Sequence, residues 1–293
     1  MGDWRIVDMK ITLRSGTVED ASECGRINYE AFKSIGAQHN FPPDFPSVEI
    51  ATDITKMLLA HPKFYSVIAE LDGKIVGSNF LDERSIIAGI GPVAVDPPVM
   101  NRTLGHQLMQ AVMDRAHQRQ FPGMRLLQIA WHYRSLALYT KLGFDVRETI
   151  TAMQGKPLGV NIAGYEVRPA CEKELQACNQ LCFRIHGHHR AGELLDAIPQ
   201  SAANVVERQG RITGYSTGIV WFHHAVGETN DDLKALIGAT PAFLGPGFLW
   251  PSRNSELFRW CLSHGLRVVN QATLMTIGLY NEPAGPYLPS ILY

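Results

Sequence analysis

The stretch VDPPVMNRTLGHQLM, from Val95 to Met109, has the pattern of a strand, a turn and a helix in which an anion could be held. A β-branched run ends at Val95, a proline pair breaks it, and an apolar period of about 3.6 residues begins at Leu104. The first turn of a helix presents unpaired N–H groups and a partial positive charge, which suit a diphosphate. The residues that would assist, by charge, hydroxyl or close backbone approach, are Arg102, Thr103, Gly105 and His106.

The overall charge supplies no general attraction to nucleic acid or to a membrane surface. Lys and Arg number 27, Asp and Glu number 28, and the formal net charge is −1, so an anion must be bound by a local device. No run approaches the roughly 18 apolar residues of a membrane span, and the start MGDWRIVDMK lacks the apolar core of a signal peptide. Five cysteines without a secretory context indicate reduced thiols. We expect a cytoplasmic protein that binds neither nucleic acid nor a membrane.

An internal repeat organises the chain of 293 residues. Three blocks of the first half align, in the same order and without gaps, with three blocks of the second half. Each half is therefore predicted to contain a strand ending at an arginine, an amphipathic helix, a glycine hairpin and a later helix stopped by glycine. The aligned pairs are Leu13–Phe32 with Val167–His186, Asp72–Phe80 with Gln209–Thr217, and His132–Val146 with Asn254–Val268.

The order of elements within each half predicts an α/β (α+β) fold, in which helices cover the faces of a mixed sheet. A chain of this length is expected to form about two domains. The stretch TAMQGKPLGVNIAG contains Gly and Pro without a clear period, which indicates a linker. We therefore expect domains at residues 1–152 and 164–293, joined by a linker at residues 153–163.

Two blocks of the first half resemble the GNAT N-acetyltransferases. The family's pyrophosphate loop has the pattern V-x-P-x-x-Q/R-x-x-G-x-G/A, of which this chain keeps Val95, Pro97, Arg102 and Gly105 and departs at Met100 and Thr103. A later block, RSLALYTKLGF, resembles the family's N-x-x-A/S-x-x-L-Y-x-K-x-G-F, and its matching residues are Ser135, Leu138, Tyr139, Lys141, Gly143 and Phe144. The resemblance spans about Ile11 to Glu148. It implies two tandem GNAT-like domains, each with a mixed, mostly antiparallel sheet covered by helices, the second being diverged.

The resemblance also implies acetyl-CoA as the cosubstrate. In the family the pantetheine arm is hydrogen-bonded, like a neighbouring strand, to the strand before the turn. The glycines and proline of the run Gly89–Pro92 fit a splayed strand at this place. The residues that the resemblance assigns to the cofactor are Val93, Val95, Arg102, Thr103, Leu104, Gly105, His106 and Ser135.

The chemistry implied by the resemblance is direct attack of an amine on the thioester, which needs a general acid and a general base. Tyr139 matches the family's acid, since a phenol with a pKa near 10 is protonated and can donate to the leaving thiolate. The base stays open, because the run Ala88–Ile90 has no carboxylate where the family often has a glutamate. The candidates are Asp82 and Glu83, His132, which replaces the family's asparagine, and a water relay. Asp82 and Glu83 could instead be acids at the solvated end of a hairpin.

The second half departs from the family where binding and catalysis need it. Three acids, Glu228, Asp231 and Asp232, surround a predicted helix start at Thr229 or Asn230, where they would satisfy the helix dipole and repel a diphosphate. The residue aligned with Tyr139 is a cysteine, at position 261. We therefore expect a degenerate second domain without catalysis.

The sequence thus predicts an acetyl-CoA-dependent N-acetyltransferase that acts on a primary amine of a small-molecule or amino-acid-like acceptor. The alternatives are a sensor or interaction module that binds CoA or acyl-CoA without catalysis, and an enzyme that transfers a longer acyl group. A homodimer is left open. No metal site is expected, because Cys178, Cys182 and His186 recur at helical spacing on one face, which favours packing in a core.

Overall fold

The computed structural model describes residues 11–100 and 103–292. The chain divides into two compact units, one comprising Met1–Leu81 and Ile90–Arg119, the other comprising Asp82–Gly89 and Gln120–Tyr293. Among the described residues, no helix combines the length and the apolar character that crossing a membrane would require.

The strands are β1 (Ile11–Ser15), β2 (Phe64–Leu71), β3 (Lys74–Asp82), β4 (Ile87–Ile90), β5 (Ala94–Val95), β6 (Gly123–Ile129), β7 (Asp145–Gln154), β8 (Glu166–Pro169), β9 (Asn204–Arg208), β10 (Arg211–Ser216), β11 (Ala225–Gly227), β12 (Phe248–Pro251), β13 (Arg267–Gly278) and β14 (Tyr287–Leu288). The helices are α1 (Ala21–Gln38), α2 (Val48–Ala60), α3 (Leu104–Gln118), α4 (Tyr133–Lys141), α5 (Leu175–His186), α6 (Ala191–Ala197), α7 (Asn230–Ala239) and α8 (Ser255–Ser263).

In the first unit the strand order is β1-β2-β3, and β5 pairs antiparallel with β3. β2 turns into β3 at Asp72 and Gly73, whose φ angles of 49° and 76° match a two-residue hairpin turn of type I′. Helices α1 and α2 pack against each other, and Gly25 permits this approach because a Cβ there would overlap Thr52.

In the second unit one sheet has the order β4-β6-β13-β7-β12. β4 and β6 are parallel, and the remaining neighbours are antiparallel. The two sequence halves exchange strands here: β13 of the second half lies between β6 and β7 of the first, and β7 of the first lies between β13 and β12 of the second. This sheet is therefore built jointly by both halves.

The other sheet of the second unit is antiparallel, with the order β14-β11-β10-β9-β8. Alternate residues of β9 enter two apolar clusters, as the pleat of a strand requires. Val205 packs with Cys178 and Cys182 of α5, whereas Val206 packs with residues of α7 and α8. The core position expected for the two cysteines is confirmed.

The predicted repeat is confirmed in its local geometry. The second hairpin turns at Gln209 and Gly210 with φ angles of 53° and 74°, which match those of Asp72 and Gly73. The late helices α4 and α8 both end before a glycine in the left-handed region, Gly143 at φ 96° and Gly265 at φ 83°. The mixed, mostly antiparallel sheets covered by helices confirm the predicted fold class. The boundary at residues 153–163 stays a prediction.

A buttressing ion-pair arrangement is also repeated. The arginine that ends the first strand of each half bridges an acid at the start of the next helix and an acid on the neighbouring strand. The matching sets are Arg14 with Asp20 and Glu70, at 2.7 Å each, and Arg168 with Glu174 and Glu207, at 3.1 Å each. The alignment of Arg14 with Arg168 therefore has a structural counterpart.

Candidate active site

The turn predicted to hold phosphate leads into α3, whose N-cap residue is Thr103. The first intrahelical bond at this end runs from the Gln107 N–H to the Thr103 carbonyl at 3.0 Å. The N–H groups of Leu104, Gly105 and His106 precede it, and the Thr103 side chain makes no capping hydrogen bond. Its hydroxyl instead accepts from Gln107 Nε2 at 3.2 Å. Arg102, the predicted cation of this turn, lies outside the described residues.

Thr103 occupies a backbone conformation that favours glycine. Its φ is 64° and its ψ is −2°, in the left-handed region, where a side chain other than glycine costs roughly 1–2 kcal/mol. The departure from the family's pattern, Thr where Gly is usual, therefore falls on a position that needs the conformational freedom of Gly.

Strand β5 presents one edge to β3 and turns the other away from it. The Asp96 N–H donates to the Val76 carbonyl at 2.8 Å, and Gly77 lies opposite Val95. Because hydrogen-bonded and non-hydrogen-bonded pairs alternate in an antiparallel ladder, the N–H and C=O of Val95 point away from β3. This is the edge predicted to bind pantetheine. Val93, the other predicted backbone contact, directly precedes β5 and is half-buried.

Close packing fixes α3 against these strands. A Cβ on Gly77 would lie 2.8 Å from the Ala94 carbonyl oxygen and 3.0 Å from Leu108 Cδ1, so only glycine permits this approach. Asn79 Nδ2 also donates to the Leu108 carbonyl at 3.2 Å. β5 and α3, the two elements that flank the turn, are therefore both held against β3.

Tyr139 lies on α4, whose end is set by a glycine motif. The Phe144 N–H donates to the Tyr139 carbonyl at 3.0 Å, and the two rings meet edge to face with centroids 6.3 Å apart. Burial raises the pKa of Tyr139 to about 12. The phenol therefore stays protonated throughout the physiological range and can act as a donor.

Gln128, which the sequence analysis missed, organises the connection from β6 to α4. Its side-chain amide donates to the His132 carbonyl at 2.9 Å and to Ser135 Oγ at 3.1 Å, while Ser135 Oγ donates to the His132 carbonyl at 2.8 Å. The signal in the sequence was a glutamine inside the apolar run LLQI. Ser135, predicted to bind the cofactor, and His132, a candidate base, both belong to this network.

Comparison with known families decides the nature of the first half. Residues 31–144 match the model of the acetyltransferase (GNAT) family. This part of the chain is therefore similar to a GNAT acetyltransferase domain. The matched range includes β5, α3 and α4, and with them the turn and the tyrosine described above.

Solved structures show that the GNAT fold extends over nearly the whole chain. A candidate acetyltransferase from Pyrococcus horikoshii has a TM-score of 0.73 at 15% identity, covering 95% of this chain and 93% of its own. A GCN5-related N-acetyltransferase from Sphaerobacter thermophilus gives 0.59 at 15%, covering 93% and 96%. A tandem GNAT protein from the clavulanic acid biosynthesis pathway gives 0.57 at 12%, covering 92% and 98%. No curated protein matches the chain in sequence.

Asp82, a predicted base of this GNAT domain, is not a solvated hairpin end. Only 7% of it is exposed, and its carboxylate accepts from Arg84 Nε at 2.9 Å and from Arg84 Nη2 at 2.6 Å. Arg84 also pairs with Asp196 at 3.0 Å. Burial raises the pKa of Asp82 while the Arg84 guanidinium opposes that rise. Glu83 is half-buried. Asp82, Glu83 and His132 stay predictions as bases.

The second half lacks the GNAT phosphate turn. The Glu228 N–H donates to the Thr213 carbonyl at 2.8 Å, which repeats the bond from Asp96 to Val76. Residues 97–103 separate Asp96 from the first residue of α3, whereas Thr229 alone separates Glu228 from the first residue of α7. A diphosphate therefore has no equivalent loop in the second half.

The start of α7 is moreover closed by its own acid, Asp232. The carboxylate of this residue accepts from the Thr229 N–H at 2.8 Å and from Thr229 Oγ1 at 2.9 Å. The other two predicted acids are paired with cations, Glu228 with Arg211 at 2.7 Å and Asp231 with Lys234 at 2.8 Å. The three predicted acids at this helix start are therefore engaged in a capping box and in ion pairs.

A buried polar network of the second unit was also missed. Glu193 pairs with Arg190 at 2.7 Å and accepts from His224 Nδ1 at 2.9 Å, while Tyr215 Oη lies 3.0 Å from His224 Nε2. Burial, reinforced by Arg190, lowers the pKa of His224 to about 4. Within the described part of the chain, no group of three potential metal-ligating side chains is assembled.

Proposed function

We propose that this protein is an acetyl-CoA-dependent N-acetyltransferase that acetylates a primary amine of a small-molecule or amino-acid-like acceptor. The observation that carries the proposal is the strand, turn and helix of β5 and α3, with the N–H groups of Leu104, Gly105 and His106 at the helix start, within the residues that match the GNAT family. Catalysis is assigned to a first domain at residues 1–152, with a linker at 153–163 and a degenerate domain at 164–293, in a cytoplasmic protein.

The cofactor is gripped by backbone donors. The N–H groups of Leu104, Gly105 and His106 suit the diphosphate, because the helix dipole adds partial positive charge at the same place. Val95 offers its N–H and C=O to the pantetheine arm along the edge that is turned away from β3. Arg102, Thr103, Val93 and Ser135 complete the set that the family resemblance assigns to the cofactor.

The reaction forms one bond and breaks one. The amine nitrogen attacks the thioester carbonyl, the new C–N bond forms, and the C–S bond breaks. Tyr139 donates its phenolic proton to the departing thiolate, and its raised pKa keeps that proton in place until sulfur charge develops. The amine proton leaves to a base, for which Asp82, Glu83, His132 and water remain the candidates.

Calorimetry with acetyl-CoA tests the binding step. We expect saturable binding of the cofactor, and an absence of heat at high-micromolar acetyl-CoA would refute the proposal. Free CoA thiol, released in the presence of a panel of amines and amino acids, then reports turnover and the acceptor class. Propionyl-CoA and longer donors in the same assay show whether acetyl is the preferred group.

A second candidate, a CoA-binding sensor without catalysis, is favoured by one observation. Asp82 is held in a bidentate ion pair with Arg84, so a carboxylate near the family's usual base position is already neutralised. A sensor predicts tight CoA binding with no thiol release for any amine. An enzyme predicts release that depends on acceptor concentration.

A further inference from the structure

The segment after β13 returns to the second sheet and adds β14 to the edge of β11. Ala225 lies opposite Leu288, and Val226 lies opposite Tyr287, in antiparallel register. The Gly227 N–H donates to the Pro286 carbonyl at 3.1 Å. The two residues of β14, Tyr287 and Leu288, are each only 2% exposed.

The position of Gly227 in the second half is that of Val95 in the first. Val95 lies opposite Gly77, and Gly227 lies opposite Gly214, which is the aligned glycine of the second hairpin. The next residue in each half donates its N–H across the ladder at 2.8 Å, from Asp96 to Val76 and from Glu228 to Thr213. By the same alternation, the Gly227 N–H points away from β10, and there it meets the segment of β14.

We infer that residues 286–288 occupy, in the second half, the place that the pantetheine arm takes on β5 in the first. The inference rests on the proposed function for the first half. The edge of β11 that corresponds to the cofactor-binding edge of β5 is covered by a strand of this same chain. That strand makes the backbone hydrogen bonds that the cofactor would make in the first half. The protein therefore binds one CoA per chain.

Packing makes this strand a permanent occupant. Leu288 lies in the apolar cluster of Trp250 and Leu233 on one face of the sheet, and Tyr287 lies in the cluster of Cys178 and Tyr215 on the other. Both faces of β14 are thereby covered, and leaving the cleft would expose two large side chains to water.

Polar contacts anchor the segment before the strand and at its first residue. Tyr287 Oη donates to Glu148 Oε2 at 3.2 Å, and the Ala284 N–H donates to the Ile185 carbonyl at 2.8 Å. Gly285 packs so closely on Ile185 that a Cβ would overlap it. A flexible pantetheine arm has no group to replace the ring of Tyr287 or its bond to Glu148. A cofactor in this place would therefore make fewer contacts than the strand it displaced.

Amide hydrogen exchange on the full chain, with and without acetyl-CoA, tests the inference. Val95 and Gly227 are matched positions and act as internal controls for each other. We expect the Gly227 amide to exchange slowly in the cofactor-free protein and to be unaffected by acetyl-CoA, whereas the Val95 amide slows when acetyl-CoA is added. Calorimetry should give one site per chain.

The outcomes separate the two proposals. If acetyl-CoA does not bind or leaves Val95 unchanged, the proposed function fails while slow exchange at Gly227 still supports the internal strand. If Gly227 exchanges as fast as an exposed amide, or accelerates with acetyl-CoA, or two CoA molecules bind per chain, the inference is overturned. Leu288→Ala should speed exchange at Gly227 several-fold and keep one CoA site, and the control Leu279→Ala, at a residue 41% exposed, should change neither.

Discussion

Asp232 accepts the backbone N–H of Thr229 at 2.8 Å, so the acid at the third position of α7 satisfies the N–H of the residue that precedes the helix. The matching start of α3 has Thr103 as its N-cap residue and no such acid three positions later. One internal repeat thus contains a helix start with a capping box and one without it, and the proposed anion site lies at the start without it.

Transferring the acid from α7 to α3 should weaken cofactor binding. His106 stands at the position of Asp232, three residues after the N-cap, and is exposed. In His106→Asp the new carboxylate repels the diphosphate, so the affinity for acetyl-CoA should fall by roughly tenfold or more, about 1.4 kcal/mol. Calorimetry measures the dissociation constant of acetyl-CoA for each variant. The neutral control His106→Gln should bind nearly as the parent does, and equal affinities for both variants would contradict the anion site.

Relief of strain at Thr103 should stabilise the protein. The left-handed conformation costs roughly 1–2 kcal/mol for threonine. Glycine avoids this strain but loses more conformational entropy on folding, which costs about 0.5–1 kcal/mol. Thr103→Gly should therefore raise the free energy of unfolding by up to about 1.5 kcal/mol, measured by denaturant titration. Gln209→Gly, at φ 53° in the second hairpin, is the matched control, which should stabilise similarly without changing acetyl-CoA affinity. A destabilised Thr103→Gly would show that the side chain is required where it stands.

Local features of the fold could be predicted from sequence because nearby residues determine them. The glycines of the two hairpin turns and the stops at Gly143 and Gly265 are each required by the backbone at one position. The alternation of Val205 and Val206 between two cores follows equally from the pleat of one strand. Such signals lie within a few residues, so the order of elements in each half could be predicted from the sequence.

Long-range pairing could not be predicted in the same way. β7 and β13 are aligned strands of the two halves, and nothing in either sequence says which neighbours it takes. The partners of Asp82 show the same limit: Arg84 is two residues away, but Asp196, which holds Arg84 from the other side, is distant in sequence. The short connection between Glu228 and Asn230 is evident only when β11 is matched to β5, because the two connections that follow these strands then differ in length.

Removal of the Tyr139 hydroxyl should slow the chemical step and leave cofactor binding intact. Tyr139→Phe should lower kcat by about 10²–10⁴-fold, since a positioned proton donor contributes that much. Tyr133→Phe, on the same helix and 70% exposed, is the control and should be unaffected. Because burial raises the pKa of Tyr139 to about 12, no loss of rate between pH 7 and pH 10 should depend on this residue. An unchanged kcat in Tyr139→Phe would remove the tyrosine from the mechanism.

Mild acid should destabilise the second unit. Burial lowers the pKa of His224 to about 4 and that of His188 to about 3, so both are neutral in the folded state. The unfolded chain binds more protons below its pKa of about 6.5, so stability rises with pH in this window and is lost as pH falls from about 6.5 toward 4. For His224 the full effect is roughly 3 kcal/mol.

The measurement is the free energy of unfolding at a series of pH values. His224→Gln should flatten the dependence on pH between about 6.5 and 4, whatever its effect on stability at neutral pH. His117→Gln, at an exposed site on α3, serves as the control and should leave the slope as it is. The explanation fails if both variants keep the parent's slope.

The strand exchange between the halves should make each half dependent on the other for folding. A chain of residues 1–152 lacks β13, which pairs with β6 from Ile129 to Gly123, and with β7 on the opposite side. Both strands would then present unpaired apolar edges, which promote aggregation. We expect this fragment to be insoluble or to unfold without cooperativity, as judged by solubility and thermal melting. Production together with residues 153–293 should restore a soluble complex with one melting transition, because β13 can then pair again. A soluble, cooperatively melting 1–152 fragment would show that the exchange is dispensable.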